Sequence, residues 1–153
     1  MGFFSRKPQQ FDFELVKHST SEGEGYVVQR IKDRQRLRYS SLPISQGLYA
    51  FDVAGTSYRA EDFQRSAFSP GKRLAILPDP ANPVDPQALA VWDSAHKFHI
   101  GYVPQDCPPT MKKRMIEEEP TYISMWENRK GELRVGLRVL VISSDVKIKL
   151  LNK

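Results

Sequence analysis

The residues able to support metal chemistry are concentrated in the middle of the chain. Asp79, Asp85 and Asp93 are carboxylates of the kind that hold the metal ions of nucleases, but nothing in their spacing requires them to converge. His96 and His99 flank a predicted turn, and with no cysteine pair nearby they make a poor metal site. A metal-dependent nuclease is therefore the least favoured class of function, and we expect neither a metal nor a cofactor.

Nucleophilic catalysis has one candidate, the single cysteine. Cys107 stands beside two prolines, and no recognisable motif places a histidine for it. Glycine-rich loops of the kind that cradle ATP or dinucleotide phosphates are absent from the sequence. We therefore expect a protein that is not an enzyme and has no catalytic residue.

Length and charge favour a small binding protein. The chain has 153 residues, with 23 Lys and Arg against 18 Asp and Glu, and a net charge of +5. Residues 1–46 carry +3, residues 47–110 carry −2 and residues 111–153 carry +4. Basic ends around a slightly acidic middle indicate a polyanionic partner.

The sequence also indicates a compartment. No apolar run is long enough for a spanning helix, and residues 1–7 are not followed by the apolar segment of a secretion signal. A single cysteine cannot form an internal disulfide, which suits a reducing compartment. We expect a soluble, cytoplasmic protein that does not bind a membrane.

A basic stretch precedes a change of composition near residue 46. Its cations recur at every second position: Arg30, Lys32, Arg34, Arg36 and Arg38. A strand would place all five on one face and a helix would divide them between two, and the sequence does not choose between these forms. Either form gives a basic surface that serves phosphate contact or solubility. We predict a basic, partly ordered extension over residues 1–46 and a folded domain over residues 47–153.

Beyond residue 46 the sequence indicates short strands separated by turns. Apolar patterning predicts strands over 48–54, 72–77, 88–92, 98–103, 122–126 and 133–142, and helix formers bounded by prolines predict a helix over 110–119. Four prolines make 78–86 an irregular loop. Arg134 and Arg138 would share one face of the last strand, which predicts a basic outer surface there. The pattern predicts a mostly β fold with one main helix, in the form of a small, mostly antiparallel barrel or a curled sheet, and we favour the barrel.

Four sequence blocks occur in a specific order between residues 47 and 145. They are 51–59, with a Gly-Thr-Ser-Tyr bend, 70–77, 82–91, which begins Asn-Pro-Val-Asp, and 100–104, which reads Ile-Gly-Tyr-Val-Pro. Together they resemble the HIRAN domain, a module that recognises DNA ends and occurs fused to Swi/Snf-type translocases and as stand-alone bacterial proteins. The resemblance implies an OB-like β-barrel and a place among DNA-processing and DNA-repair proteins.

The resemblance also implies a groove for single-stranded DNA. Its residues would be Gly55, Ser57, Tyr58, Asn82, Asp85 and Tyr102. By the same resemblance, Tyr58 would stack on a base or contact a phosphate, and Asn82 and Asp85 would hold the terminal nucleotide. Each residue also has a structural interpretation, as a bend glycine, a loop cap or a half-buried aromatic.

Two positions depart from the pattern of the family. Ser57 stands where DNA-binding members characteristically have an arginine, and Val84 stands where they have an aromatic residue. Arg59 offers a charge next to Tyr58, but on a strand it would point to the opposite face.

Two functions remain in view. The first is a non-catalytic module that binds single-stranded DNA, at 3′ ends or flaps, with the basic segments adding non-specific phosphate contacts. The second is a protein-interaction module on the same barrel, with a DNA-processing protein as its partner, and Ser57 and Val84 favour it. The choice between DNA and RNA stays open.

Overall fold

The computed structural model describes residues 11–149; residues 1–10 and 150–153, at the ends of the two predicted segments, lie outside the described residues. The strands in this range are β1 (Phe13–Thr20), β2 (Gly23–Arg30), β3 (Arg36–Leu37), β4 (Leu48–Asp52), β5 (Arg73–Pro78), β6 (Leu89–Asp93), β7 (His99–Tyr102), β8 (Thr121–Lys130), β9 (Leu133–Ile142) and β10 (Ile148–Lys149). The α-helices are α1 (Ala60–Phe63) and α2 (Pro109–Glu117), and short 3₁₀ turns cover Tyr39–Ser41, Ile44–Gln46, Thr56–Arg59 and Ser66–Phe68. Neither α-helix is long and apolar enough to cross a membrane.

The strands form one open, mixed sheet. Its main path runs β10–β1–β2–β8–β5–β6–β7, while β9 pairs with β8 and carries β4 on its other edge. Every strand pair is antiparallel except β1 with β10. Because β9 covers one edge of β8, the strands β2 and β5 share the other edge at different positions. The strand β8 is therefore the centre of the sheet.

The predicted closed barrel is not confirmed. Closure would need a ladder between β4 and β7, whereas these strands are joined through one bridge between Ala54 and Tyr102. The sheet therefore curls without closing. The mostly β class is confirmed, since strands β4 to β9 lie where the sequence predicts strands and α2 overlaps the predicted helix, beginning one residue before it.

The central strands β8 and β9 bury both of their faces. Val139 and Val141 face a first core that also holds Met111 and Met115 from α2. Leu140 and Ile142 alternate with these valines and face a second core on the back of the sheet. Burial on both faces explains the continuous apolar run at the end of β9, because each fully buried aliphatic side chain contributes about 1.5–3 kcal/mol.

The N-terminal hairpin of β1 and β2 covers the second core. Phe13, Leu15, Tyr26 and Val28 are buried there against the back of β8 and β9. The described part of the predicted extension is therefore a structural part of the sheet, and the change of composition near residue 46 marks no break in it.

Candidate nucleic-acid interface

The bend after β4 presents Tyr58 to solvent. Gly55 adopts a left-handed conformation with φ 79°, which a glycine reaches at little cost, and the chain then enters the 3₁₀ turn Thr56–Arg59. The amide of Tyr58 donates to the carbonyl of Gly55 at 3.2 Å, and the Tyr58 side chain is 86% exposed. A large aromatic ring that is this exposed has no packing role within the described chain.

A close approach of two strand ends places this bend beside Tyr102. The amides of Ala54 and Tyr102 each donate to the carbonyl of the other residue at 2.9 Å. Gly101 permits this approach, because a Cβ at its position would clash with the carbonyl oxygen of Ala54. The Ile-Gly-Tyr segment therefore needs its glycine for contact with the bend that carries Tyr58.

Next to the bend lies a small cleft lined by aromatic rings, which we call the aromatic cleft. It has a volume of about 220 Å³, and its walls include Arg59, Asp79, Trp92, His99 and Tyr102. The ring of His99 stacks on Trp92, with centroids 5.0 Å apart, and meets Tyr102 edge-on at 4.8 Å. The guanidinium carbon of Arg59 lies 6.0 Å from the centroid of the Tyr102 ring, at the limit of a cation–π contact. The cleft therefore combines flat rings with the guanidinium of Arg59 and the carboxylate of Asp79.

Hydrogen bonds fix the rings of the cleft, and burial is the main cause of two shifted pKa values there. The hydroxyl of Tyr102 donates to Oδ2 of Asp79 at 2.9 Å, and burial together with this bond raises the pKa of Tyr102. Burial and then the charge of Arg59 lower the pKa of His99, whose Nε2 lies 2.9 Å from the carbonyl oxygen of Gly101. A neutral His99 donates its Nε2 proton to that carbonyl, and Nδ1 then remains an acceptor.

The proline-rich loop holds Asn82 and Asp85 through local hydrogen bonds. Oδ1 of Asn82 accepts from the amides of Val84 and Asp85 at 2.9 Å each, and Oδ1 of Asp85 accepts from the amide of Gln87 at 2.9 Å. These bonds are the loop caps of the structural interpretation. Within the described residues Oδ2 of Asp85 has no hydrogen-bond partner, so the side chain still has an acceptor to offer. Asp79 begins this loop and binds Tyr102, which connects the loop to the aromatic cleft.

The structure corrects the predicted position of Arg59. This residue ends a 3₁₀ turn and is not on a strand, so the alternation that would point it away from Tyr58 does not apply. Its guanidinium lines the aromatic cleft. Ser57 and Tyr58 are both exposed on the same turn. The interface therefore keeps a cation near the bend although Ser57 replaces the arginine of the family pattern.

The basic stretch takes neither of the two predicted forms. Arg30 ends β2 and pairs with Asp33 at 3.1 Å, Arg34 turns the chain with φ 58°, and only Arg36–Leu37 is a strand. Lys32 and Arg38 are exposed, like Arg34 and Arg36. The five cations therefore do not form one face, and none of them lines the aromatic cleft.

The predicted basic surface on β9 is also wrong. Arg134 is 4% exposed and its Nη2 lies 2.9 Å from Oε1 of Glu127, which is itself 1% exposed. The guanidinium also donates to the carbonyls of Phe63 and Arg65. The Gln64 side chain exchanges two hydrogen bonds of 2.8 Å with the backbone of Arg134. Arg134 is thus a buried anchor for the segment that follows Tyr58 and Arg59.

The three aspartates considered for metal chemistry have other contacts. Asp79 accepts from Tyr102, Asp85 caps its loop, and buried Asp93 accepts from the amides of Lys97 and Phe98 at 2.7 Å. In residues 11–149 no group of three or more His, Cys, Asp or Glu is arranged to hold a metal ion. Cys107 is buried in the first core, and burial raises the pKa of its thiol.

Three residues of the aromatic cleft are not among the predicted site residues. The sequence places Trp92 on a predicted strand, His99 beside a predicted turn and Asp79 in the proline-rich loop, whereas the structure places all three in the wall of the cleft. They lie on β6, on β7 and in the loop after β5. One signal in the sequence could have identified Trp92. It follows Val91, which is buried, so alternation along the strand places Trp92 on the face away from the core.

A curled, mostly β sheet with an exposed tyrosine and a cleft lined by aromatic rings and Arg59 defines a small binding module. The model of the HIRAN domain family matches residues 46–143, and the chain belongs to this family. Membership of this family supports nucleic-acid binding, and in general terms DNA binding, as the class of function. The comparisons with curated proteins and with solved structures found no match.

Proposed function

We propose that this domain binds single-stranded DNA across Tyr58 and the aromatic cleft and recognises its 3′ end or a flap without cleaving it. The observation that carries the proposal is the exposed ring of Tyr58 on the turn whose last residue, Arg59, lines a cleft with Trp92, His99 and Tyr102. Stacking on aromatic rings is available to any unpaired base, whereas the bases of a duplex are already stacked. The site therefore suits a strand without a partner.

Recognition of the end is assigned to the proline-rich loop. The free Oδ2 of Asp85 can accept a hydrogen bond from a 3′ hydroxyl, which is a donor, and an ionised carboxylate strengthens that bond. Arg59 beside Tyr102 would meet the nearest phosphate in place of the arginine that Ser57 replaces. Gly55 leaves the backbone of the bend open to the strand, because no side chain shields it.

The test is a titration of the protein with labelled single-stranded and duplex oligonucleotides of the same sequence at two salt concentrations. We expect tighter binding of the single strand at both concentrations. Tyr58→Ala should weaken that binding about 5- to 150-fold, because one stacked base contributes about 1–3 kcal/mol. Leu133→Ala, at a 60% exposed apolar position on β9, is the matched control and should bind normally. Equal binding of both forms, or no effect of Tyr58→Ala, would refute the proposal.

A further inference from the structure

We propose that a second surface, the groove between the proline-rich loop and α2, binds a short protein segment that carries an apolar side chain next to acidic ones. The groove has a volume of about 470 Å³. One wall comes from Pro78, Pro86 and Leu89, and the other comes from α2. This surface is separate from Tyr58 and from the aromatic cleft except for Pro78, which lines both.

The walls of the groove contain apolar side chains, and one of them, Ile116, is largely exposed. Met111 and Met115 point from α2 into the first core, whereas Ile116 lines the groove and is 55% exposed. Proline rings contribute apolar surface and no amide donor, so Pro78 and Pro86 on one wall and Pro109 on the other suit an aliphatic side chain. Burying such a side chain stabilises a complex without requiring a specific hydrogen bond.

The charges beside the groove select an acidic occupant. Lys112 and Lys113 lie along it on α2, and neither forms an ion pair with another described residue. Glu117 is the last residue of α2, about one turn beyond the lysines, so the acidic side chains of the partner belong beside Lys112 and Lys113 and its apolar side chain belongs at Ile116. The charge pattern therefore also sets the direction of the segment.

The same groove does not suit a nucleic-acid strand. It is lined by proline, leucine, isoleucine, lysine, glutamine and glutamate, and it contains no aromatic ring. Unpaired bases gain most of their affinity from such rings, and these lie in the aromatic cleft. A protein segment in the groove would lie beside a bound strand, with Pro78 between the two, and would not displace it.

The experiment is a titration of isotope-labelled protein, followed by its amide signals, with a synthetic peptide in which aspartates lie on one side of a single leucine. A peptide with lysines in place of the aspartates is the control. We expect only the aspartate peptide to shift the signals of Lys112, Lys113 and Ile116. Ile116→Ser and Lys113→Glu should each weaken the binding about tenfold, because one removes apolar burial and the other introduces repulsion.

Matched substitutions elsewhere separate these effects from general ones. Leu133→Ser and Lys130→Glu alter exposed residues outside the groove and should leave peptide binding unchanged. All four variants should bind a single-stranded oligonucleotide normally, so this result is independent of the proposed DNA function. The absence of shifts with the aspartate peptide, equal shifts with the lysine peptide, or shifts of the same signals by the oligonucleotide would overturn the inference.

Discussion

Arg59 and Ser57 show how one residue position changes the chemistry of the interface. Only Tyr58 separates Ser57, where the family pattern has an arginine, from Arg59, whose guanidinium carbon lies 6.0 Å from the centroid of the Tyr102 ring. An arginine there combines a permanent charge with a planar group that can contact both a phosphate and a ring. We therefore infer that the phosphate contact has moved from position 57 to Arg59 and has not been lost.

His99 makes the stability of the domain depend on pH. Burial and Arg59 lower the pKa of His99, so protonation is less favourable in the folded state than in the unfolded state, where the pKa is about 6.5. The free energy of unfolding should therefore fall as the pH drops below about 6.5. His99→Phe keeps a ring against Trp92 and removes the titratable imidazole. The free energy of unfolding of this variant should therefore fall less between neutral pH and about pH 5. Denaturant unfolding at the two pH values measures this.

The control for His99 is His96→Phe, which changes an exposed histidine in the turn between β6 and β7. Its stability should fall with pH as in the unsubstituted protein. An identical fall in the His99 variant would show that another group carries the dependence.

At the level of elements, the contact between β9 and the segment 60–69 positions the interface. Arg134 joins Glu127 to the carbonyls of Phe63 and Arg65, just beyond the turn that carries Tyr58. A buried ion pair adds little net stability, but removal of one partner leaves an unpaired charge. The pair therefore fixes the arrangement of the segment more than it strengthens the fold.

Removal of the Arg134 side chain should be costly. Arg134→Met leaves Glu127 buried with only Arg129 on its other carboxylate oxygen, and we expect a loss of about 3 kcal/mol in the free energy of unfolding. Replacing both partners by apolar residues should recover much of that loss. Arg30→Gln, in the exposed pair with Asp33, should change stability by at most about 1 kcal/mol. Urea unfolding of the variants checks this, and equal losses for Arg134→Met and Arg30→Gln would contradict it.

The positions of the strands could be predicted because apolar patterning is a local property. The face of the sheet on which each side chain lies could not always be predicted. In β9, residue Gly136 is opposite Asn128 and Arg134 is opposite Arg129, so Val135 is an extra residue. This bulge reverses the alternation. It turns Arg134 into the interior and leaves Leu133 and Val135 exposed. A bulge depends on the partner strand, which the pattern of one strand does not contain.

The site residues that belong to a sequence motif could be predicted. Those that become neighbours only when strands pair could not. The family pattern identified Tyr58 and Tyr102 as candidates, and the structure brings their segments together. Trp92 and His99 become neighbours through an irregular register between β6 and β7. The sequence could not choose between a barrel and a curled sheet for a similar reason, because closure depends on how the end strands β4 and β7 meet.

At the level of the whole molecule, the basic stretch should add affinity without sequence preference. Lys32, Arg34, Arg36 and Arg38 are exposed and available to a long strand that leaves the aromatic cleft. Each phosphate contact releases counterions, so replacing these four residues by glutamine should flatten the salt dependence of binding by up to about 0.7 per lost contact. An unchanged slope would assign the stretch to solubility.

Recognition of a DNA end depends on the chemical group that the strand carries at its 3′ terminus. A 3′ phosphate would bring a negative charge against Asp85, and two unit charges about 4 Å apart repel by roughly 4 kcal/mol at an effective dielectric constant near 20. A 3′ hydroxyl instead donates to that carboxylate. Asp85→Asn removes the charge while its amide oxygen can keep the bond from the amide of Gln87.

Fluorescence anisotropy with two strands that differ only in the end group, on the unsubstituted protein and on Asp85→Asn, is the decisive measurement. Asp145→Asn, at an exposed position near β10, is the matched control for loss of one negative charge. The account predicts tighter binding of the 3′ hydroxyl strand by the unsubstituted protein and by the control, and a smaller preference in Asp85→Asn. Equal affinity of the unsubstituted protein for the two strands would contradict it.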